Sequence, residues 1–275
     1  MIDQVNRIGR FTSSEIYKLM SVGSRPMTPD ELAAHKKENP KSYKKNIDDG
    51  FGESALTYIE EKRAERSLGR SIDTGATSNE MIWGHVMEAY AFEYCMGMEY
   101  KSASKKALLH PKYNFWAGSP DFEKPKTGGE MKCFYPKKFY TLSKELIKLN
   151  DGLITLDDFK NNTKSKLNEI FYQVLSNTVI LGHSRCEIMA FTPTEEQLIH
   201  VIDLLEDTDF AEKIGLNPWN VRFIVERREK LYELPYIPKH SNWPNMVSHE
   251  FDLPIDDVIA LTKAVIAAEK ELNNG

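Results

Sequence analysis

Two acidic residues and a lysine are spaced in a way that suits a divalent metal ion bound beside a phosphodiester. Asp121 follows Gly118-Ser119-Pro120, and Glu130 and Lys132 follow the pair Gly128-Gly129. Carboxylate oxygens are the ligands that Mg²⁺ prefers, and bound Mg²⁺ polarises a phosphodiester and lowers the pKa of a water molecule. A neighbouring lysine can hold that water or stabilise negative charge in the transition state. These residue types therefore suit metal-assisted hydrolysis.

A β-hairpin would bring the three side chains together. The segment Glu123–Gly129 joins two short strands, and its glycine pair can supply the positive φ angles of a turn. Side chains alternate along a strand, so Glu130 and Lys132 point to the same face. Pairing of the strands then places Asp121 close to Glu130. The alternative is a surface hairpin with an ordinary Glu–Lys pair, and Ser119-Pro120 directly before Asp121 favours the catalytic interpretation.

A helix upstream carries a further acid. It is predicted from about Ser78 to Met98, with Glu88 on a mostly apolar stripe. The other residues of this stripe are Met81, His85, Phe92 and Cys95. An acid in such a place is expected to be paired, metal-bound or protonated, so Glu88 is a candidate for a third carboxylate. The alternative is a partly exposed glutamate at the edge of the stripe, and we interpret His85 as a packing residue.

The elements that must position these residues follow from the hydrophobic pattern. Further helices are predicted at 7–20, 54–68, 137–149, 165–181, 194–213 and 255–273. Extended segments are predicted at 107–122, 130–135 and 186–191. Residues 23–50 are expected to form a long loop or mobile arm, and 215–254 is rich in proline. The order indicates an α/β core at 1–200, a central mixed β-sheet flanked by helices, with a mostly helical extension at 201–275 packed on it.

The charge is distributed unevenly along the chain. The net charge is −5, which by itself does not suggest a nucleic-acid binder. Between Lys101 and Lys148, however, eleven lysines face four acids, whereas sixteen acids face eight basic residues from Pro193 to the end. A basic segment attracts phosphate backbones, although a solvated lysine-rich face is the alternative.

The composition excludes several other classes of protein. Hydrophobic residues make up 41% and charged residues 28%, as in ordinary globular proteins. No apolar run approaches the roughly 18 residues that span a bilayer, and the acidic N-terminus does not resemble a signal peptide. Cys95, Cys133 and Cys186 form no C-x-x-C pair, which argues against a zinc ribbon or an iron–sulfur site. We expect a reducing cytoplasm.

Four blocks of residues together resemble the phage lambda-type alkaline exonucleases, also called YqaJ-like viral recombinases, of the PD-(D/E)XK nuclease superfamily. The blocks are Arg7–Ile16, Trp83–Glu88, Ser119–Asp121 with Glu130–Cys133, and Tyr172–Val174 with Phe191–Pro193. They are similar to the family's R-x-G-x-x-T-x-S-E, W-G-x-x-x-E, D…E-x-K and Q-V-Q motifs and closing strand. The sequence departs from the family at Phe134-Tyr135-Pro136, Leu175 and Thr192, none of which replaces a metal ligand.

The resemblance implies a role for each matching residue. The predicted metal ligands are Glu88, Asp121, Glu130 and the backbone carbonyl of Met131. Lys132 is similar to the catalytic lysine of the family, and Gln173 to the glutamine that completes its site, so the predicted catalytic set is Asp121, Glu130, Lys132 and Gln173. Arg7 and Ser14 resemble the pair that holds the 5′-terminal phosphate of DNA, which suits a guanidinium fork and a hydroxyl near a helix N-terminus.

The resemblance also implies an activity and partners. We expect a restriction-endonuclease-like fold and a Mg²⁺-dependent 5′-to-3′ exonuclease, with two ions for which Mn²⁺ can substitute. The substrate would be linear double-stranded DNA, and the remaining 3′ single strand would enter phage-type recombination with a single-strand annealing protein. The family contains ring-shaped trimers and monomers. A restriction-like or structure-selective endonuclease and a non-catalytic DNA-binding module are the alternatives.

Overall fold

The computed structural model describes residues 6–41, 46–72, 77–102, 106–207 and 209–274. Helices and strands are numbered in chain order. The strands are β1 (Phe11–Thr12), β2 (Val22–Pro26), β3 (Asn46–Phe51), β4 (Lys101–Ser102), β5 (Leu108–Leu109), β6 (Trp116–Gly118), β7 (Phe122–Lys124), β8 (Thr127–Lys132), β9 (Arg185–Phe191) and β10 (Met246–Asp252). The α-helices are α1 (Pro29–Glu38), α2 (Glu53–Leu68), α3 (Asn79–Tyr94), α4 (Pro136–Asn150), α5 (Leu156–Lys160), α6 (Leu167–Leu181), α7 (Glu195–Glu206), α8 (Asp209–Lys213), α9 (Pro218–Val225) and α10 (Ile255–Asn274). Two 3-10 helices lie at Ile16–Met20 and Arg228–Glu233.

The central sheet is mixed. Within the described residues its strand order is β10–β9–β8–β7–β4, with β8 and β9 parallel and the other neighbours antiparallel. Strands β1, β6 and β5 form a second small sheet, in which β1 runs parallel to β6. The parallel pair β8–β9 is connected through α4, α5 and α6, as a parallel connection requires a long crossover. The predicted mixed α/β architecture is confirmed.

Alternating side chains of β9 divide the core between the two faces of the central sheet. Ile188 packs in a cluster with residues of α4, α6 and α10, whereas its neighbour Met189 packs in a cluster with residues of α3, α7 and α9. Strand β8 alternates in the same way, because Met131 belongs to the α3 cluster while Glu130 contacts α6. The functional face of β8 is therefore the one covered by α6.

The predicted hairpin is β7–β8, but its turn differs from the prediction. Gly128 and Gly129 are paired strand residues opposite Glu123 and Phe122, and the positive φ of 66° is at Lys126. Gly129 is required for packing instead, because a Cβ there would lie 2.0 Å from the Phe122 ring. Gly129 thus admits a large aromatic residue on the facing strand.

Two predictions near the N-terminus are wrong. A continuous helix at 7–20 is replaced by β1 and the 3-10 helix, because Gly9 has a φ of 66° and Phe11 pairs with Trp116. The expected loop at 23–50 contains the antiparallel strands β2 and β3 and the helix α1; residues 42–45 lie outside the described residues. The reciprocal capping box between Thr28 and Glu31 starts α1 and was the overlooked signal.

The C-terminal part of the chain is joined to the core. The predicted helix 194–213 is two helices, α7 and α8, and the proline-rich segment contains α9 and the sheet strand β10. Helix α10 packs against α2 and α6. A domain boundary at residue 200 remains a prediction, although β10 pairs with β9 along its whole length. None of the described helices is both long and apolar enough to cross a membrane.

Candidate active site

The β7–β8 hairpin brings Asp121 beside the candidate site residues of β8. Asp121 immediately precedes β7, and its amide donates to the carbonyl of Gly129 at 3.2 Å. Its Oδ2 accepts a hydrogen bond of 2.8 Å from the amide of Met131, which lies between Glu130 and Lys132. Backbone pairing of the hairpin thus fixes the position of this carboxylate. The role predicted for the Met131 carbonyl remains a prediction.

Glu130, Lys132 and Gln173 form a closed group. The Lys132 ammonium donates to Glu130 Oε1 at 2.6 Å and to Gln173 Oε1 at 3.0 Å. Gln173 in turn donates through Nε2 to the same Glu130 oxygen. Glu130 is buried, while the Lys132 side chain is 18% exposed. The ammonium therefore has a fixed position between Glu130 and Gln173.

The protonation state of Lys132 follows from its neighbours. Burial by itself lowers the pKa of a lysine, but the carboxylates of Glu130 and Asp121 outweigh it and raise the pKa of Lys132 above its ordinary value. Lys132 thus carries a proton at neutral pH. It can donate hydrogen bonds and stabilise negative charge, but it does not serve as a proton acceptor.

Glu88 approaches the same site from α3, on the other side of the sheet. Burial raises the pKa of Glu88 to about 7, with a further contribution from Glu130 that Lys132 opposes. Burial also raises the pKa of Asp121 well above its ordinary value, with contributions from Glu130 and Glu88. The site therefore holds more acid than the single ammonium of Lys132 can neutralise.

The donor set fits a hard divalent cation. Among the described residues, no three acidic, histidine or cysteine side chains form a ready-made metal cage. Mg²⁺ needs no such cage, because it retains water molecules and binds phosphate oxygens of a substrate. Glu88, Asp121 and Glu130 offer only oxygen ligands, and a cation would relieve the electrostatic cost of ionising them together.

The predicted phosphate ligands lie next to this group. Arg7 donates to the Ser119 hydroxyl at 2.9 Å, and a cavity of about 410 Å³ is lined by Arg7, Ser14 and Lys18 among others. The Nε of Arg7 is buried without a hydrogen-bond partner among the described residues. Burial lowers the pKa of Arg7, although Glu130 opposes this effect. Ser14 is exposed and does not cap the 3-10 helix, since Glu15 holds that position.

Sequence reasoning missed Asn177 and the contact made by Ser119. Asn177 is fully buried and donates to Glu130 Oε2 at 2.9 Å. It lies four residues after Gln173, so the helical repeat was a signal that could have identified it. His85 takes no part in the site: its Nε2 lies 2.7 Å from the carbonyl of Ile214, which agrees with a packing role.

Comparison of sequences gives no relative: no family model and no curated protein matches the chain. The structure of LHK-Exo in complex with dAMP is similar over 98% of this chain and 91% of that one, with a TM-score of 0.50 and 13% identity. The chain shares the fold of LHK-Exo. A second structure of that protein, the alkaline exonuclease from Laribacter hongkongensis, has a TM-score of 0.48 at 13% identity, over 98% and 90% of the two chains. A phage-related exonuclease from Haemophilus somnus 129PT has a TM-score of 0.49 at 11% identity, over 96% and 94%.

Proposed function

We propose that this chain is a Mg²⁺-dependent exonuclease that degrades linear double-stranded DNA from its 5′ ends. The observation that carries the proposal is the position of the Lys132 ammonium, held between Glu130 and Gln173 beside two further carboxylates. This arrangement suits the hydrolysis of a phosphodiester. The ligand of LHK-Exo, dAMP, is a nucleoside monophosphate, the kind of product that such an enzyme releases.

The site residues have distinct tasks in this reaction. Bound Mg²⁺, for which Mn²⁺ could substitute and of which two ions are expected, would supply Lewis acidity at the scissile phosphate and would lower the pKa of a water molecule. Glu88, Asp121, Glu130 and the Met131 carbonyl hold the metal. Lys132 donates hydrogen bonds to the attacking water and to the phosphate oxygens that gain negative charge.

Gln173 holds the side chains of Lys132 and Glu130 in position. Its amide accepts from Lys132 and donates to Glu130, so one side chain fixes both a cation and a metal ligand. Such preorganisation matters because donors that are already aimed at the developing charge need no rearrangement during the reaction. Gln173 thus raises the rate through the positions of its two neighbours.

The cavity beside Arg7 supports the preference for a DNA end. Arg7 and Lys18 supply positive charge and Ser14 a hydroxyl, which together suit a terminal phosphate dianion. The same cavity is also lined by Lys62 and by three acids, Glu15, Glu61 and Glu65. Lys18 and Lys62 are paired with Glu15 and Glu65, so Arg7 is the proposed main contact of the phosphate.

The basic segment at 101–148 is proposed to bind the DNA backbone. Helix α4 belongs to this segment and begins four residues after Lys132, the last residue of β8. Lys137, Lys138 and Lys144 are exposed on this helix. Lysines on the surface give salt-dependent, sequence-independent attraction for DNA.

The remaining 3′ single strand suits phage-type recombination. A single-strand annealing protein is the proposed partner, and the chain acts as a monomer or as a ring-shaped trimer. The proposed setting is the cytoplasm of a bacterial host. These proposals depend on the sequence resemblance and on the exonuclease fold.

End-labelled DNA tests the activity directly. Linear duplexes with and without a 5′ phosphate, and closed circular DNA, are incubated with Mg²⁺ or with EDTA. We expect rapid loss of the 5′-phosphorylated linear duplex, little attack on circles and no reaction in EDTA. Efficient cutting of circles would indicate an endonuclease instead, and the absence of cleavage from all substrates would indicate a non-catalytic DNA-binding protein.

A further inference from the structure

Asn177 contacts both Glu130 and Ser119, the residue to which Arg7 is hydrogen-bonded. Its carboxamide Nδ2 donates to Glu130 Oε2 at 2.9 Å and to the Ser119 carbonyl at 3.4 Å. The other oxygen of Glu130 accepts from Lys132 and Gln173. Both carboxylate oxygens are therefore held, and Asn177 provides the hydrogen bond for one of them.

The orientation of the Asn177 amide is determined by this contact. Its Oδ1 is buried without a hydrogen-bond partner among the described residues. An unpaired buried acceptor costs about 1–3 kcal/mol, whereas a hydrogen bond to a carboxylate is among the strong ones. Rotation of the amide by 180° would place Oδ1 against the Glu130 carboxylate, so the orientation with one unpaired oxygen is the better of the two.

The neighbouring strand leaves room for this amide. A Cβ at Gly118 would lie 2.4 Å from Asn177 Oδ1 and 2.3 Å from the Ser13 hydroxyl. Only glycine allows β6 to approach the helix this closely. The strand then continues into Ser119, whose hydroxyl accepts the hydrogen bond from Arg7.

We propose that Asn177 is a positioning residue that orients Glu130 for metal binding and links it, through Ser119, to the arginine of the end-binding cavity. This inference rests on the proposed function. It adds a structural path, Arg7–Ser119–Asn177–Glu130, along which the position of a terminal phosphate and that of a metal ligand depend on one another. Groups that orient metal ligands typically change metal affinity or activity about 10–100-fold when they are lost.

Two variants of Asn177 test this role. Asn177→Leu keeps most of the volume and removes the donor, and Asn177→Ala removes the whole amide. The matched control is Thr178→Val, because Thr178 is equally buried on α6 and donates to the Gly128 carbonyl at 3.3 Å, away from the acids. Mn²⁺ binding without DNA is measured by electron paramagnetic resonance, and kcat and KM are measured on a 5′-phosphorylated duplex.

We expect Asn177→Leu and Asn177→Ala to weaken Mn²⁺ binding by about tenfold or more, with Thr178→Val close to the wild type. The loss of kcat in Asn177→Leu should be partly restored by high Mg²⁺, which a purely structural defect would not show. In a Glu130→Gln background, Asn177→Leu should have no additional effect on Mn²⁺ binding. Gly118→Ala, which displaces the amide, should reproduce the defect.

Equal Mn²⁺ affinity in folded Asn177→Leu and Thr178→Val would overturn the role of Asn177. Should the leucine variant fail to fold, the comparison of Asn177→Ala with Thr178→Val decides. A wild type that binds Mn²⁺ but cleaves no DNA would refute the proposed function instead, because Mn²⁺ binding is measured without DNA.

Discussion

The Arg7 guanidinium donates a 2.9 Å hydrogen bond to the Ser119 hydroxyl, two residues before Asp121, although 112 residues separate the partners in sequence. This contact places the N-terminal segment beside the hairpin that carries the candidate site. It also leaves the buried Nε of Arg7 unpaired within the described part of the chain. The Arg7 side chain also lines the cavity that contains Ser14 and Lys18, where its charge can meet an anionic ligand.

Arg7→Lys should reduce discrimination between DNA ends. Lysine keeps the charge but loses the planar fork, so the preference for 5′-phosphorylated over 5′-hydroxyl duplexes should fall about tenfold or more, since a charged hydrogen bond contributes about 1.5–3 kcal/mol. The ratio of kcat/KM on the two substrates measures this preference. Arg10→Ala is the control, because the Nε of Arg10 bonds to the Asn114 carbonyl instead. An unchanged ratio in Arg7→Lys would remove Arg7 from the end-binding site.

Lys132→Ala should abolish most of the catalysis and little of the DNA binding. The ammonium donates to groups that gain charge only in the transition state, and loss of one such donor lowers kcat by roughly 10²–10³-fold. Single-turnover cleavage and DNA binding in Ca²⁺ are compared. Lys239→Ala, which removes an exposed pair with Glu196 outside the basic segment, should retain activity. If Lys132→Ala cleaves at the wild-type rate, the assignment of this lysine is wrong.

Ionisation of Glu88 should destabilise the metal-free protein. Its pKa rises from 4.5 to about 7 on folding, so the folded state binds more protons than the unfolded state between these values. The free energy of unfolding should therefore fall as pH rises from 4.5 to 7, by up to about 3 kcal/mol, and this contribution should be constant above pH 7.

Urea titrations of metal-free protein at several pH values check the effect of Glu88. The free energy of unfolding of Glu88→Gln should fall less as pH rises from 4.5 to 7. The fall that remains is due to other acids such as Asp121. Added Mg²⁺ should restore stability above pH 7, because it binds the ionised carboxylates. An identical pH dependence in Glu88→Gln and the wild type would contradict the raised pKa.

A second buried charge network should stabilise the central sheet. The Lys124 ammonium lies 2.8 Å from Glu187 Oε2 and 3.0 Å from Glu250 Oε2, and it joins β7, β9 and β10. Because the Glu187 side chain is only 2% exposed, Lys124→Met leaves an uncompensated charge and should cost about 3–5 kcal/mol in urea unfolding.

An exposed lysine is the control for this network. Lys230 lies 4.0 Å from Glu233 and is 60% exposed, so Lys230→Met should change stability by less than about 1 kcal/mol. If both methionine variants unfold at the same urea concentration, the network contributes no more than a surface ion pair.

The sequence by itself determined the local features of the site. Alternation along β8 places Glu130 and Lys132 on one face of the strand. The hydrophobic pattern also predicts the helix that carries Gln173. The α/β core followed from the order of helical and extended patterns. These features depend on residues a few positions apart, so a short window of sequence contains the necessary information.

Tertiary structure decided the rest. Hydrogen bonds from Arg7 to Ser119 and from Asn177 to Glu130 join segments that have no common periodicity, and Glu88 reaches the site from the opposite side of the sheet. The pairing of Phe11 with Trp116 replaced a predicted helix, and the space taken by the Phe122 ring explained a glycine first assigned to a turn. Such contacts depend on how separate elements pack, because burial and strand pairing outweigh local conformational preference.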